Sequence, residues 1–324
     1  SFIRAAEPSM GALIRRAGPG GLGRLGRTRP FSTLWKTLGR YFKDPRLRQL
    51  FGRYTTYVGA SPFAAPATLM LVAHVEQAGV WYVEGGMHRL AQVLADRIEA
   101  RGGTVRYDTP VAEILTTGDR VSGVWTVDGE EVAAEAVIAN ADCSALGSGL
   151  FGRAAAAAAP TVAPAERSLS ALTFLTEART DGFPLIRHNV FFSSDYAREF
   201  EEILAARRLP GEPTVYVCAQ DRGDPGDAVP EGAERLLVLV NAPPNGDSGG
   251  PPQAEIERCE ATTMNLLARC GLTLAPEATA RAGPATFEAL FPATGGALYG
   301  RASHGWQASF QRPGVRTKLP GLYL

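Results

Sequence analysis

One stretch, residues 79–142, limits the possible folds more than any other part of the chain. Met87, Leu90, Leu94 and Ile98 recur at helical spacing behind Gly85-Gly86, and Gly102-Gly103 ends the pattern. This predicts a helix over 86–101 with one buried stripe. The period then changes. Residues 104–107 and 111–115 are β-prone, Gly118-Asp119 and Asp128-Gly129 supply turns, and 121–127 alternates large apolar with smaller or polar residues. Ala136-Val137-Ile138-Ala139 has no polar side chain, which predicts a short strand buried on both faces, and it ends at Asn140-Ala141-Asp142. An order of helix, strand, hairpin and buried strand belongs to mixed α/β architecture, and a strand ending in small residues leaves its carboxyl end open for a ligand. The same residues also suit a helix merely packed on a sheet.

At 324 residues, with 45% hydrophobic residues, 36 Gly and 23 Pro, the chain has room for two loop-rich domains. Its formal charge is zero but unevenly spread. Residues 1–53 hold 12 Lys and Arg against Glu7 and Asp44, a net of +10, and the rest carries −10. Such a block meets anionic phospholipid or nucleic acid, or is a solvated face; nothing else in the chain points to nucleic acid. Phe31, Leu34, Trp35, Leu38, Tyr41 and Phe42 fall on one helical face opposite Lys36 and Arg40, an amphipathic helix with a basic polar side, and a second helix is expected over 45–54. The most apolar stretch, 58–75, is broken by Pro62 and Pro66, so a membrane-spanning helix is not expected there, and 1–29 lacks the apolar core of a signal peptide.

Beyond Asp142 a Gly/Ala/Pro connection leads to strands expected at 168–176, 188–192, 214–219 and 235–241, with helices over 196–207 and 255–269. Four strands with few crossovers suggest a mainly antiparallel sheet. Cys143, Cys218, Cys259 and Cys270 form no CxxC pair and read as buried thiols. Zinc, P-loop and Ser-His-Asp patterns are absent, and His74, His88, His188 and His304 are scattered and read as structural. No metal is expected.

The segment GVWYVEGGMHRLAQVLADRIEARGGTVRYDTPVAEIL…AVIANAD resembles the FAD-dependent carotenoid desaturases of the phytoene-desaturase type. So do Tyr57-Val58-Gly59, Ser61-Pro62-Phe63…Pro66, HNVFFSSDYAREFEEI, ERLLVLVNAPP and Gly295-Gly296-Ala297-Leu298-Tyr299-Gly300 with Arg312-Pro313. The runs at 54–57, 77–88 and 217–222 look more like 1-hydroxycarotenoid 3,4-desaturases (methoxyneurosporene dehydrogenases) than phytoene desaturases, which usually have Pro where Val83 stands.

The resemblance implies an α/β plus α+β fold. Residues 1–78 would be a helical, membrane-facing part of a substrate domain, 79–145 a segment of a Rossmann-like FAD domain, 146–290 an antiparallel-sheet substrate domain, and 291–324 the return to the flavin domain. It implies FAD near Gly85, Gly86, Val111, Asn140, Ala141, Asp142 and Arg312, with the backbone of Val111 at the adenine end. A carotenoid would lie against Tyr57, Phe63, Trp81 and Tyr299. It further implies a protein attached peripherally to the cytoplasmic side of the inner, photosynthetic membrane of a bacterium. Desaturation needs a hydride acceptor that no side chain provides, and no general base is assigned. The family's opening GxGxxG and its closing Gly-rich flavin motif are not found; Gly18-Pro19-Gly20-Gly21-Leu22-Gly23 has the wrong spacing and no strand before it. The chain is therefore expected to be an internal piece, inactive alone. The competing readings are a phytoene desaturase, a non-catalytic isoprenoid carrier of the same architecture, and an amine oxidase.

Overall fold

Two capping side chains set the first helices. In a computed structural model, which describes residues 11, 15, 18, 21, 23, 26–223, 230–308 and 312–324, helix α1 (Leu34–Tyr41) begins where Thr33 Oγ1 accepts from Lys36 N at 3.3 Å. Helix α2 (Pro45–Gly52) begins where Asp44 Oδ1 accepts from Arg46 N at 2.8 Å, with Pro45 at the first helical position. The chain then tightens into a 3-10 turn, Arg53–Val58, which stops at Gly59 with φ +62°. Helix α3 (Leu71–Gln77) follows the prolines. Arg16 and Arg24 of the basic block lie outside the described residues.

Helix α4 (Met87–Glu99) forms where the spacing predicts it, but its apolar stripe is not buried: Met87 is 70% exposed, Leu94 58% and Ile98 48%. No described element packs across that face. Residues 104–107, expected as a strand, are irregular, since among the described residues no strand offers them a ladder. Strands β1 (Val111–Thr117), β2 (Arg120–Thr126) and β3 (Glu131–Ala133) make an antiparallel sheet whose turns use Gly118 (φ +64°) and Gly129 (φ +85°).

Strand β4 (Val137–Ile138) pairs in parallel with β10 (Leu322–Tyr323), the last strand of the chain. The expectation of a strand covered on both faces fails here. Ile138 is 77% exposed, because β10 is β4's single strand partner among the described residues and one face has no cover. Helices α5 (Cys143–Gly147) and α6 (Arg153–Ala158) fold over the other side, where Ile114, Val121, Leu146, Ala155 and Leu322 form a small core.

Strands β5 (Ser170–Gly182), β6 (His188–Phe191), β7 (Val215–Ala219), β8 (Glu234–Ala242) and β9 (Leu272–Ala282) form an antiparallel sheet in the order β6-β7-β8-β5-β9. The antiparallel sheet agrees with the sequence; the fifth strand, β9, does not appear among the four expected. Its Pro276 and polar residues hide the strand period, and both are tolerated because β9 lies at the sheet edge. Helix α7 (Tyr196–Leu204) lies between β6 and β7, and helix α8 (Gln253–Arg269) packs Cys259, Leu266 and Leu267 on one face of the sheet. Phe174, Val215, Val217, Val238 and Val240 complete that core with essentially no exposed surface. All four cysteines are free thiols, and Cys270, expected buried, is exposed because it closes α8 at the surface. Helix α9 (Pro284–Leu290) leads to the loop that returns toward β4.

Candidate functional site

The parallel pair β4–β10 ends at a cleft of about 310 Å³. Val137 N donates to Gly321 O and Ala139 N to Tyr323 O, each at 2.8 Å, so both strands deliver their carboxyl ends to the same place. Asp142 turns the chain there: its Oδ1 accepts from Ser144 N at 2.8 Å and caps α5. The cleft walls include Ala141, Asp142, Cys143, Tyr299, Gly300 and Arg312, with Leu324 from the chain's end. Burial, then the Asp142 carboxylate, pushes the Cys143 thiol up, so it stays protonated at neutral pH and is no nucleophile.

The return loop that carries Tyr299 is held by one carboxylate. Glu288 accepts from the backbone N–H of Ala293, Thr294 and Gly295 at 2.8, 3.0 and 2.6 Å. Gly295 and Gly296 adopt φ +65° and +75° there, where only a glycine avoids strain and contact with Arg167 and Pro284. Tyr299 N then donates to Ser168 Oγ at 3.0 Å, and Ser168 N to Gly300 O at 2.8 Å. A Cβ on Gly59 would stand 2.7 Å from the Tyr299 ring, so Tyr57-Val58-Gly59 is the surface that seats Tyr299. Downstream, Ser61 N donates to His304 Nε2 at 3.0 Å. Burial holds His304 below its ordinary range, as suits a ring nitrogen used as an acceptor.

Tyr57 stands between this cleft and the face of the large sheet opposite α8. It lies within electrostatic reach of Tyr299 and of Tyr216 on β7. Tyr216 and Cys218 are half-buried while their neighbours Val215 and Val217 are fully buried, so β7 presents one face to the core and the other to an open surface. Leu237 and Leu239 of β8 and Leu175 of β5 continue that surface by register. At its edge His188 Nδ1 meets Tyr216 Oη at 2.7 Å, and Arg187 lies 4.2 Å over the ring of Tyr82.

The residues singled out in the sequence divide by place. Ala141, Asp142, Tyr299 and Arg312 share the cleft, and Asn140 is next to it. Gly85 and Gly86, with φ +81° and +82°, precede α4 and do not line the cleft, and Val111 opens β1. Tyr57 stands 58% exposed beside Tyr299, whereas Trp81 is 81% exposed on the segment leading into α4. Phe63 packs against Trp35 at 4.6 Å and against Phe200 at 5.9 Å between ring centroids. Tyr216 and Cys218 alternate with valines in VYVCA, a signal of the open face that the sequence reading used for strand assignment alone, and His188 joins them only through the β6–β7 register. Among the described residues no group of His, Cys, Asp and Glu is placed to hold a metal, and no helix is long and apolar enough to cross a membrane.

The overall fold is shared with solved structures. An oxidoreductase from Methanosarcina mazei superposes with a TM-score of 0.56 at 18% identity, over 90% of this chain and 62% of that one. Residues 23–284 match the flavin containing amine oxidoreductases, and the chain belongs to that family. Within it, the chain is 52% identical to the hydroxyneurosporene desaturase of Rubrivivax gelatinosus over 100% of this chain and 62% of that protein. It is 42% identical to the hydroxyneurosporene desaturase of Cereibacter sphaeroides, over 100% of this chain and 64% of that protein. The chain thus spans under two thirds of the length of these relatives.

Proposed function

We propose that the whole protein is an FAD-dependent carotenoid desaturase that forms the 3,4 double bond of a 1-hydroxy or 1-methoxy acyclic carotenoid. The observation that carries this reading is the continuity from the Asp142–Tyr299 cleft, past Tyr57, to the open face of β5, β7 and β8, taken with the likeness to hydroxyneurosporene desaturases. The cleft suits part of a flavin nucleotide. It lies where open parallel sheets bind ligands, Gly300 keeps its wall low because a Cβ there would approach Asp142 Oδ2 to 3.1 Å, and Arg312 brings a cation fit for phosphate. Bound there, the flavin would supply the two-electron acceptor that no side chain provides.

The chain's own residues then have positioning roles. Tyr299, fixed by Ser168 and seated on Gly59, walls the cleft and sets how closely a polyene approaches it. Leu175, Leu237 and Leu239 exclude water and bind hydrocarbon. Under the same reading, 79–145 and 291–324 are flavin-domain segments, and 1–78 and 146–290 form the substrate domain. Gly85, Gly86 and the backbone of Val111 would reach the cofactor beyond the cleft. The test is to incubate the purified full-length protein, with flavin bound, with an acyclic 1-hydroxycarotenoid. A product lighter by two hydrogens, with a red-shifted absorption band, is expected. Flavin-loaded protein that leaves the carotenoid unchanged refutes the desaturase; protein that binds polyene and no flavin is an isoprenoid carrier.

A further inference from the structure

The open sheet face carries Leu175, Leu237 and Leu239, with Thr173, Glu177 and Arg235 on the same face by register, and ends at the β6–β7 edge. There His188 and Tyr216 stack with ring centroids 6.1 Å apart and an 18° interplanar angle, joined by the 2.7 Å contact between Nδ1 and Oη. Val190, Leu237 and Leu239 stand beside them on the same face by register. Burial first, and then the Arg187 guanidinium, hold His188 below its ordinary range, so the ring is neutral at pH 7. A neutral imidazole has one N–H and one lone pair, and a phenol has one O–H and a lone-pair oxygen. Whichever of the two donates to the other, the pair keeps one donor and one acceptor in hand. Apart from the weakly bonding thiol of Cys218, no other described group takes them up.

We propose that His188 and Tyr216 form a subsite for the terminal hydroxyl of an otherwise hydrocarbon polyene. This inference rests on the desaturase reading. A hydroxyl matches the pair, because it donates and accepts at one atom. An ether oxygen satisfies only the donor. A carboxylate, which only accepts, likewise satisfies the donor alone. Covering the pair with a methyl-terminated chain would strip it of water and return no hydrogen bond, which disfavours that ligand. A site built to bond a hydroxyl rejects the analogue that lacks it more strongly than an apolar site distinguishes two hydrocarbons. The pair therefore fixes the hydroxylated end of the substrate at the β6–β7 edge.

The experiment compares Tyr216→Phe and His188→Phe with the parent in the flavin-loaded full-length protein. Two acyclic polyenes are used, identical except that one ends in a tertiary hydroxyl and the other in hydrogen. Affinity is read from tryptophan quenching, turnover from product absorbance, and folding from flavin content and melting. Both variants should lose about tenfold in affinity and kcat/KM for the hydroxylated polyene, the worth of one net hydrogen bond, and hold or gain for the other. Equal losses on both polyenes, or no loss on the hydroxylated one, overturn the subsite while leaving the desaturase in place. If the parent binds the two polyenes equally and converts neither, both readings fall.

Discussion

Gly295 shows how little room the return loop has. An added Cβ would stand 2.1 Å from Arg167 Nη1 and 2.7 Å from Pro244 O, at φ +65°. Gly305 has a similar φ of +75° with nothing within 4 Å. Gly295→Ala should therefore cost roughly 2–4 kcal/mol in urea unfolding, and Gly305→Ala about 1 kcal/mol from backbone strain alone. Equal costs would mean that the clash with Arg167 is relieved freely. His304 makes a pH prediction. Its pKa is lower folded than unfolded, so the unfolded chain takes up the proton first and stability falls as pH drops through the unfolded value of about 6.5. The melting temperature should decline from pH 7.5 to 5.5, and His304→Gln, which keeps an acceptor for Ser61 N and does not titrate, should reduce the decline. A decline unchanged in that variant would assign it to other groups. At this scale the sequence was informative where chemistry is local: the turn glycines Gly118 and Gly129 show themselves within a few residues, whereas the caps Thr33 and Asp44 came only with the structure. The seating of Tyr299 on Gly59 joins positions 240 apart in number, and only the family likeness connected them.

Element periods were legible and their surroundings were not. The spacing of Met87, Leu90, Leu94 and Ile98 gives α4, and the run at 136–139 gives β4, yet both present apolar side chains to solvent. Periodicity identifies which face is apolar and carries no information on what covers it. A parallel pair of two residues per strand is also far short of the sheets in which parallel strands occur, covered on both faces. We infer that in proteins of the relatives' length further elements of the flavin domain cover α4 and extend β4–β10. Leu90→Asp should then change the unfolding free energy of the 324-residue chain by no more than about 0.5 kcal/mol, and cost about 2–5 kcal/mol in a version of the relatives' full length. Equal small effects in both would make the stripe a true surface. Strand β9 failed to show for a different reason: an edge strand tolerates Pro276 and polar residues, so its pattern never alternates.

For the whole molecule, the question is how a protein without a spanning helix among its described residues obtains a substrate as apolar as the proposed one. The basic block gives an attraction, about 1 kcal/mol for each Lys or Arg near an anionic surface. Lys36, Arg40, Lys43 and Arg46 are exposed on or beside α1 and α2, and Arg29, Phe31, Lys36 and Arg40 border a groove of about 450 Å³. Salt screens such charges beyond about 8 Å, so apolar insertion must add to them. Trp35, on the apolar face of the predicted helix, does not serve for this. It packs against Phe63 and Tyr196 with Arg48 4.6 Å over its ring, so Trp35→Glu would disrupt the fold rather than report on a membrane. Phe31, 78% exposed with one edge against Trp306, and Tyr41, 68% exposed, are the most exposed aromatic side chains of this region. The protein should sediment with vesicles containing phosphatidylglycerol, release partly at 0.5 M salt (where the screening length falls to roughly 4 Å), and stay in solution with vesicles of phosphatidylcholine alone. Phe31→Glu with Tyr41→Glu should abolish the salt-resistant fraction with melting unchanged, and charge reversal at Lys36, Arg40 and Lys43 should remove the salt-sensitive one. Sedimentation equal in the parent and both variants would make this surface a solvated face, and the polyene would have to enter elsewhere.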